Sequence, residues 1–358
     1  MKYKYDKKNK FKAVFNPNNG FYMRSGVLDE NGKDTGVDPF MADFPELLDI
    51  GIMQTCVCSH RCNVDCYQKA CDRTGANMSV EDFESILKQC DGRLFQAALG
   101  GAGDVDTHEN FEEILKISRK YGVVPNFTTS GIMMTKEKAE ICKKYCGAVA
   151  VSEHFADYTD RAIDLLLDAG VKTNIHYVLS NKTIDDAIDK LKNNGFKKGI
   201  SAIVFLLYKN IGLGREENVL KPTDPRVAEF FSLIDNGVYD HKIGFDSCSC
   251  AGIVNFTNKI NIDSIDYCEG GRFSAYIDAN MNMMPCSFAN QDPSWHMSLR
   301  EHTIDEVWHS ELFDKFRYPL AHSCSSCPNR LCCGGGCPIV NNITLCDRKE
   351  RSFKPYEI

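Results

Sequence analysis

The sequence predicts an α/β fold, a parallel sheet covered by helices, followed by a small cysteine-rich unit. Three observations carry this reading. From about residue 48 to 235, short apolar runs alternate with amphipathic stretches. Beyond about 240 that rhythm gives way to cysteine, glycine and short strand-like runs such as RFSAYID. The 18 cysteines crowd into two places. Six strand–helix units in succession imply a parallel sheet. Periodicity leaves a partial barrel and a doubly wound sheet as alternatives. In both, ligands gather at the C-terminal ends of the strands.

The apolar runs are LLDIGIM (47–53), LFQAAL (94–99), VVPNF (123–127), AVAVS (148–152), VKTNIHYVL (171–179) and SAIVFLLY (201–208). The stretches between them have helical spacing. SVEDFESILKQC opens on Ser79 with Asp82 three residues later, a capping-box pattern. ENFEEILKISRKYG ends on Gly122, and Thr135 opens KEKAEICKKYCG. DRAIDLLLDAG and DDAIDKLKNNG repeat the scheme, and Pro225 suits the first turn of the last helix. The strand ends are rich in reactive and flexible residues. The first leads into a loop holding Cys56, Cys58, Cys62, Cys66 and Cys71, the second into GGAGD (100–104), the third into TTSG (128–131). The fourth leads into Ser152, Glu153 and His154, the fifth carries Asn174 and His176, and the sixth leads into Lys209, Asn210 and GLG (212–214). Residues 1–45 are polar and read as a short extension packed on the barrel. The segment beyond 240 has too thin an apolar content for its length, so bound metal is expected to replace part of its core.

Composition narrows the function classes. The 358 residues are 43% hydrophobic and 25% charged, as in ordinary globular domains. A net charge of −7, spread along the chain, presents no basic face to nucleic acid. No apolar run approaches the ~18–20 residues of a membrane span, and the N-terminus lacks a signal peptide, so a cytoplasmic location is expected. Reducing compartments disfavour disulfides, and the clustered thiols therefore point to metal or redox chemistry. Cys90, Cys142 and Cys146 fall on helices and read as core packing.

Cys58, Cys62 and Cys66 are spaced four apart on a loop. Three thiolates there can bind three irons of a 4Fe-4S cluster and leave the fourth open; a four-thiolate site recruiting Cys56 or Cys71 is the alternative. The second group is CSSCPNRLCCGGGC: Cys324, Cys327, Cys333 and Cys337, then Cys346, with Cys248, Cys250, Cys268 and Cys286 upstream. These are about right for two four-thiolate sites, of iron–sulfur or of zinc. GGAGD gives a ligand close access to backbone and a carboxylate for an ammonium group. It lacks the GxGxxG spacing of dinucleotide sites, and no Walker-type lysine follows.

Together these features resemble the radical S-adenosylmethionine (SAM) enzymes that carry a C-terminal SPASM domain, over roughly residues 45–350. The family loop is CxxxCxxC; Cys58 and Cys62 fit it, the step from Cys62 to Cys66 is one residue longer, and Asp65 stands where an aromatic is usual. GGAGD is similar to the GGE motif that holds the methionyl amine of SAM, with Gly100, Gly101 and Asp104 in that part. TTSG, with Ser130, resembles the turn after the third strand, and Ser152 and His176 fill positions that commonly contact SAM. The SPASM pattern is the most specific match. Cys324, Cys327, Cys333 and Cys337 reproduce its CX2CX5CX3C element; Cys268 and Cys286 fit its CX9–15GX4C element except that Met281 replaces the glycine.

The resemblance implies a partial (β/α)6 TIM-like barrel over 46–240, an iron–sulfur SPASM domain over 241–358, and one catalytic and two auxiliary 4Fe-4S clusters. Cys58, Cys62 and Cys66 would hold the catalytic cluster. Cys268, Cys286, Cys337 and Cys248 (or Cys250) would hold one auxiliary cluster, and Cys324, Cys327, Cys333 and Cys346 the other. The implied activity is an oxidoreductase that reductively cleaves SAM and abstracts hydrogen from a peptide or protein through a 5′-deoxyadenosyl radical, forming a crosslink, thioether, epimer or oxidised side chain. Sulfatase-maturing relatives place an aspartate after a SPASM cysteine; Ser287 follows Cys286 here, which ranks formylglycine formation second. A small-molecule substrate and a non-catalytic metal-binding protein are further alternatives. The ~45 residues before the barrel are shorter than a winged-helix recognition domain, so either a separate protein binds the leader or the substrate docks directly, and an electron donor such as flavodoxin or ferredoxin is expected. Asp246, Glu153 and Tyr177 are candidate substrate-side groups by position.

Overall fold

The structure, a computed structural model, describes residues 1–62, 64–261 and 264–356. An N-terminal antiparallel sheet comes first: β1 (Lys2–Asp6), β2 (Phe11–Phe15) and β3 (Tyr22–Arg24). The alternating units follow as β4 (Leu47–Met53), α1 (Val80–Cys90), β5 (Gln96–Gly101), α2 (Phe111–Lys120), β6 (Val124–Thr129), α3 (Lys136–Tyr145), β7 (Val149–Ser152), α4 (Asp157–Asp168), β8 (Thr173–Leu179), α5 (Ile184–Asn193), β9 (Ala202–Leu207) and α6 (Pro225–Asn236). After them come β10 (Lys242–Phe245), α7 (Cys250–Phe256), β11 (Ser274–Ile277), β12 (Asn282–Met284), β13 (Met297–Ser298), α8 (Ile304–Trp308), α9 (Glu311–His322) and the short α10 (Arg330–Cys333).

The local signals act as expected. The Ser79 hydroxyl accepts from the Asp82 amide at 3.0 Å, and Thr135 accepts from the Lys138 amide. Asp224 caps α6 with Pro225 in its first turn. In α2 the buried residues are Phe111, Ile114, Leu115 and Ser118, one stripe at helical spacing. Cys90 and Cys142 are buried packing residues.

Strands β4 to β10 lie side by side in chain order, every pair parallel. A doubly wound sheet reverses its strand order at a switch point; this one does not, so the crossovers stay on one face and the sheet curls as a partial barrel. The sequence reading missed one strand and the pairing of another. KIGF forms β10, a seventh parallel strand, with Phe245 packed on Phe205 and Phe231. At the other edge β11, inside RFSAYID, pairs parallel with β4 and continues antiparallel into β12 and β13. The sheet therefore runs on from the barrel into the cysteine-rich segment, and one apolar core holds Phe44 through Leu345.

The N-terminal sheet closes the bottom of the barrel. Phe11, Ala13 and Phe15 pack with Ala42, Phe95, Val124 and Phe273, at the N-terminal ends of β5, β6 and β11. Phe15 is fully buried and stacks on Phe95 at 5.6 Å. Buried Arg24 pairs with Glu46 and Glu269 and lies 3.4 Å from the Phe273 ring centroid. The C-terminal segment joins the same end: the Trp308 indole donates to the Ala42 carbonyl, and Arg272 to that of Phe40.

The concave face carries polar side chains in place of helices. Asp49, Asn126, Thr128, Asn174 and His176 alternate with the buried apolar residues of their strands. Burial, and secondarily the Glu269 carboxylate, raise Asp49 to about 7.

Two outcomes follow. Phe15→Ala removes the ring that seals the barrel floor and is expected to destabilise the protein by about 3–5 kcal/mol, read as a lowered denaturation midpoint. For Asp49 the folded state keeps a proton that the unfolded chain releases between about pH 4 and 7. Its contribution is thus present at low pH and lost as pH rises through about 7. Asp49→Asn should gain on the parent protein by about 2–4 kcal/mol at pH 8, and by much less at pH 5, in paired melting curves.

Candidate active site and thiol clusters

The loop after β4 gathers its thiols at the C-terminal mouth of the barrel. Cys58 is buried at the start of a short 3-10 turn, while Cys56, Cys62 and Cys66 are half-buried. Burial raises Cys58 to about 11, with Asp104 and Cys56 next in effect. Burial likewise raises Cys56 and Cys62, each of which also feels Cys66 and Asp104. Cys56, Cys58, Cys62, Cys66 and Asp104 therefore share one electrostatic neighbourhood. Cys71 is exposed and its thiol donates to Asp72.

The loop is braced from across the barrel. Asp65 accepts from Asn218 Nδ2 at 2.8 Å and from the Tyr208 hydroxyl at 3.2 Å. The Leu213 amide donates to the Cys66 carbonyl at 3.0 Å. A Cβ on Gly212 would stand 2.3 Å from the Tyr67 carbonyl oxygen, so the GLG run lets two loops touch backbone to backbone.

GGAGD turns its back on the same loop. Gly101, at φ +118°, would place a Cβ 2.3 Å from the Met53 carbonyl oxygen, and Gly103 one 2.3 Å from that of Thr55. A Cβ on Gly100 would meet nothing within 4 Å, so the motif keeps an open face beside packed neighbours. Asp104 accepts from the Ser130 amide at 2.7 Å and from its hydroxyl. Burial raises the Asp104 carboxyl, which leaves it favouring a cationic partner. Ser130 thus orients Asp104 first of all. Asp106, unnoticed in the sequence, is buried and held by the Thr129 hydroxyl at 2.7 Å and Lys138 at 3.1 Å.

Ser152 and His176 are register partners on β7 and β8. The His176 Nδ1 lies 3.2 Å from the Thr128 hydroxyl, and burial lowers the ring to about 4, so it is neutral at pH 7. Asn174 presents a buried Oδ1 without a hydrogen-bond partner among the described residues. His154, also lowered to about 4 by burial, sits 3.9 Å from Cys62 Sγ and 3.0 Å from the Tyr158 hydroxyl. Tyr177 and Glu153 turn elsewhere: the Tyr177 hydroxyl donates to Asp186 and Thr183, and Glu153 pairs with Lys190.

The other thiols form two groups. Cys248 hydrogen-bonds with Cys337, which with burial pushes it well above its ordinary value. Burial, then Cys248 and Cys286, raise Cys268; burial, then Cys248, raise Cys286 to about 12. Cys250 is turned away, donating to the Asp266 carbonyl at 3.0 Å. Cys324, Cys327, Cys333 and Cys346 line a single cavity with Ala251, Gly335 and Thr344. Among the described residues no three His, Cys, Asp or Glu side chains close around a single ion. Each group nevertheless brings four thiols into one neighbourhood, a donor type suited to an iron–sulfur cluster once metal binding deprotonates it. Met281 has φ 68°, a left-handed position at the place where the resembled pattern has glycine.

Comparison with known proteins agrees with this geometry. The SPASM family, an iron–sulfur cluster-binding domain, matches residues 268–328. The mycofactocin maturase MftC of Mycolicibacterium smegmatis is 25% identical over 343 residues, covering 87% of this chain and 84% of the relative. The structure of Streptococcus suis SuiB bound to precursor peptide SuiA superposes with a TM-score of 0.65 at 17% identity, over 89% of this chain and 84% of that one. Native anSMEcpe with bound AdoMet gives 0.59 at 19% identity, over 84% and 91%. Among the described residues no helix is long and apolar enough to cross a membrane. The thiol loop, the carboxylate motif and the paired thiol groups thus lie on one sheet, in a chain that carries a match to the SPASM iron–sulfur cluster-binding domain and is similar along most of its length to a mycofactocin maturase.

Proposed function

We propose that this protein is a radical SAM peptide maturase, with residues 46–240 as the radical core and 241–358 as the auxiliary-cluster unit. One observation carries the reading: the thiol loop, Asp104 and the open face of Gly100 share the barrel mouth with the Cys248 group. Tyr67, next to Cys66, packs on Phe288, two residues after Cys286, with ring centroids 4.7 Å apart. The match to a mycofactocin maturase and to a structure holding a precursor peptide supports a peptide substrate.

Cys58, Cys62 and Cys66 would hold the catalytic cluster, with Cys56 facing the same space. Cys248, Cys268, Cys286 and Cys337 would hold one auxiliary cluster, and Cys324, Cys327, Cys333 and Cys346 the other. When bound, the cluster and SAM supply one-electron cleavage of the sulfonium and hydrogen abstraction from the substrate. The chain's own residues bind and orient. Asp104, held by Ser130 beside the open face of Gly100, would accept the methionyl ammonium. Ser152 and neutral His176 offer uncharged hydrogen-bonding groups deeper in the barrel. The barrel floor excludes water from below. A flavodoxin or ferredoxin as electron donor, a separate leader-binding protein and a cytoplasmic location complete the proposal.

Anaerobic reconstitution should load about 12 irons and 12 sulfides per chain, and SAM with a reductant should then yield 5′-deoxyadenosine. Zinc in their place, or no 5′-deoxyadenosine, defeats the reading. Replacing Cys58, Cys62 and Cys66 together by alanine should abolish cleavage and remove about four irons, leaving the remaining clusters visible by EPR. Asp104→Asn should weaken SAM binding about tenfold or more, measured by equilibrium titration of the loaded protein, with iron content unchanged.

A further inference from the structure

Lys209 has no role in the assignments above, yet it is among the most enclosed cations in the molecule, its side chain 3% exposed. It follows β9 at the barrel mouth. Its Nζ donates to the Leu207 carbonyl at 2.7 Å and to Asp246 Oδ2 at 2.8 Å, and stands 4.4 Å from the centroid of the Phe288 ring. Phe288 lies two residues after Cys286, and Asp246 two residues before Cys248. The ion pair is thus wedged between two segments that carry thiols of the same group. The ammonium is thereby fixed beside the group on both sides, by Asp246 at 2.8 Å and by the Phe288 ring at 4.4 Å. Asp246 is placed by a second bond, from the Ser249 hydroxyl at 2.7 Å.

We propose that Lys209 is a positioning charge that raises the reduction potential of the auxiliary cluster held by Cys248, Cys268, Cys286 and Cys337, with Asp246 fixing its place and moderating its field. The inference rests on the ligand assignment under the proposed function. Its physical basis is charge. Reduction adds one negative charge to a thiolate-ligated cluster, and a buried cation stabilises the reduced form more than the oxidised one. A site shielded from solvent is little screened by salt, so the effect persists at physiological ionic strength. Stability alone is a weak reason for such a pair, because apolar residues of similar volume often replace buried ion pairs without loss. A second cation also touches this group: the Arg272 guanidinium donates to the Cys268 carbonyl at 3.2 Å.

The test is an anaerobic redox titration followed by EPR on the full chain, reconstituted in the background lacking Cys58, Cys62 and Cys66 so that only auxiliary signals remain. Lys209→Met is expected to shift one of the two midpoints negative, by a tenfold change in the reduced-to-oxidised ratio or more, about 59 mV for one electron. Asp246→Asn, which leaves the cation unopposed, should shift the same midpoint positive, and Lys209→Arg should hold it. The other auxiliary feature serves as the internal reference. If both clusters load and the midpoint stays put in Lys209→Met and in Asp246→Asn, or if both variants shift it in one direction, the proposal is overturned while the cluster assignment stands. If the parent protein fails to load about eight irons in this background, the ligand assignment itself falls and the proposal with it. Where Lys209→Met does not fold, the positive shift in Asp246→Asn decides alone.

Discussion

Both chemical regions of the molecule hang from one strand that is hydrogen-bonded in parallel on each side. β4 pairs with β5 through Leu47 to Met53 and with β11 through Leu47 to Ile50. Its exit is the thiol loop, the exit of β5 is the Asp104 motif, and the hairpin after β11 ends on Cys286. The register of a single strand thus fixes the thiol loop against the Asp104 carboxylate and against the Cys248 group. The fit is close. Gly51 has no room for a Cβ because the Tyr276 hydroxyl lies 2.2 Å from where it would be, and the Ala102 amide donates to the Met53 carbonyl at 2.8 Å. A side chain at position 51 would have to displace the buried Tyr276 ring of β11.

The same mouth concentrates potential negative charge, and the chain manages it in two ways. Some groups are held toward their neutral forms: burial raises the loop thiols and Asp104, and lowers His154 and His176 so that their rings are uncharged at neutral pH. Others are balanced, as Asp106 is by Lys138 and Asp246 by Lys209. Neutral thiols and a destabilised carboxylate suit a site that receives metal and a cationic ligand, because binding releases protons and supplies the missing positive charge together.

Much of this was legible in the sequence, and the reasons differ by element. LLDIGIM and β4 coincide because a parallel strand buried on both sides reads as an apolar run. Ser79, Thr135 and Pro225 mark helix starts because capping is local. Thiol spacing exposed the cysteine-rich unit for the same reason. Features that depend on distant partners were hidden. β10 is four residues with a glycine, and only Ala202–Phe205 beside it make it a strand. The N-terminal extension alternates too briefly to announce a sheet, and its apolar face is completed by Phe95, Val124 and Phe273 far along the chain. Asp65 departs from the aromatic of the resembled loop, and its anchoring role depends on Tyr208 and Asn218, about 150 residues away in sequence. Tyr177 and Glu153 sit near strand ends, but the alternation of a strand turns them to its outer side.

The departure at Met281 shows how the pattern can lose its glycine and keep its geometry. The position is left-handed, which costs a non-glycine residue roughly 1–2 kcal/mol. The turn needs it: the Met281 amide donates to the Asp278 carbonyl at 3.0 Å, and its own carbonyl accepts from Leu299 at 2.7 Å, tying the β11–β12 hairpin to β13. Glycine would meet that need without strain but would leave a gap, because the Met281 side chain is 2% exposed within the main core. Burying such a side chain contributes about 1.5–3 kcal/mol, which covers the backbone term. Because the hairpin sets where Cys286 stands relative to Cys268, what the thiol group requires at this point is the left-handed turn itself. Glycine is one way to supply it, and a buried methionine braced by the core is another.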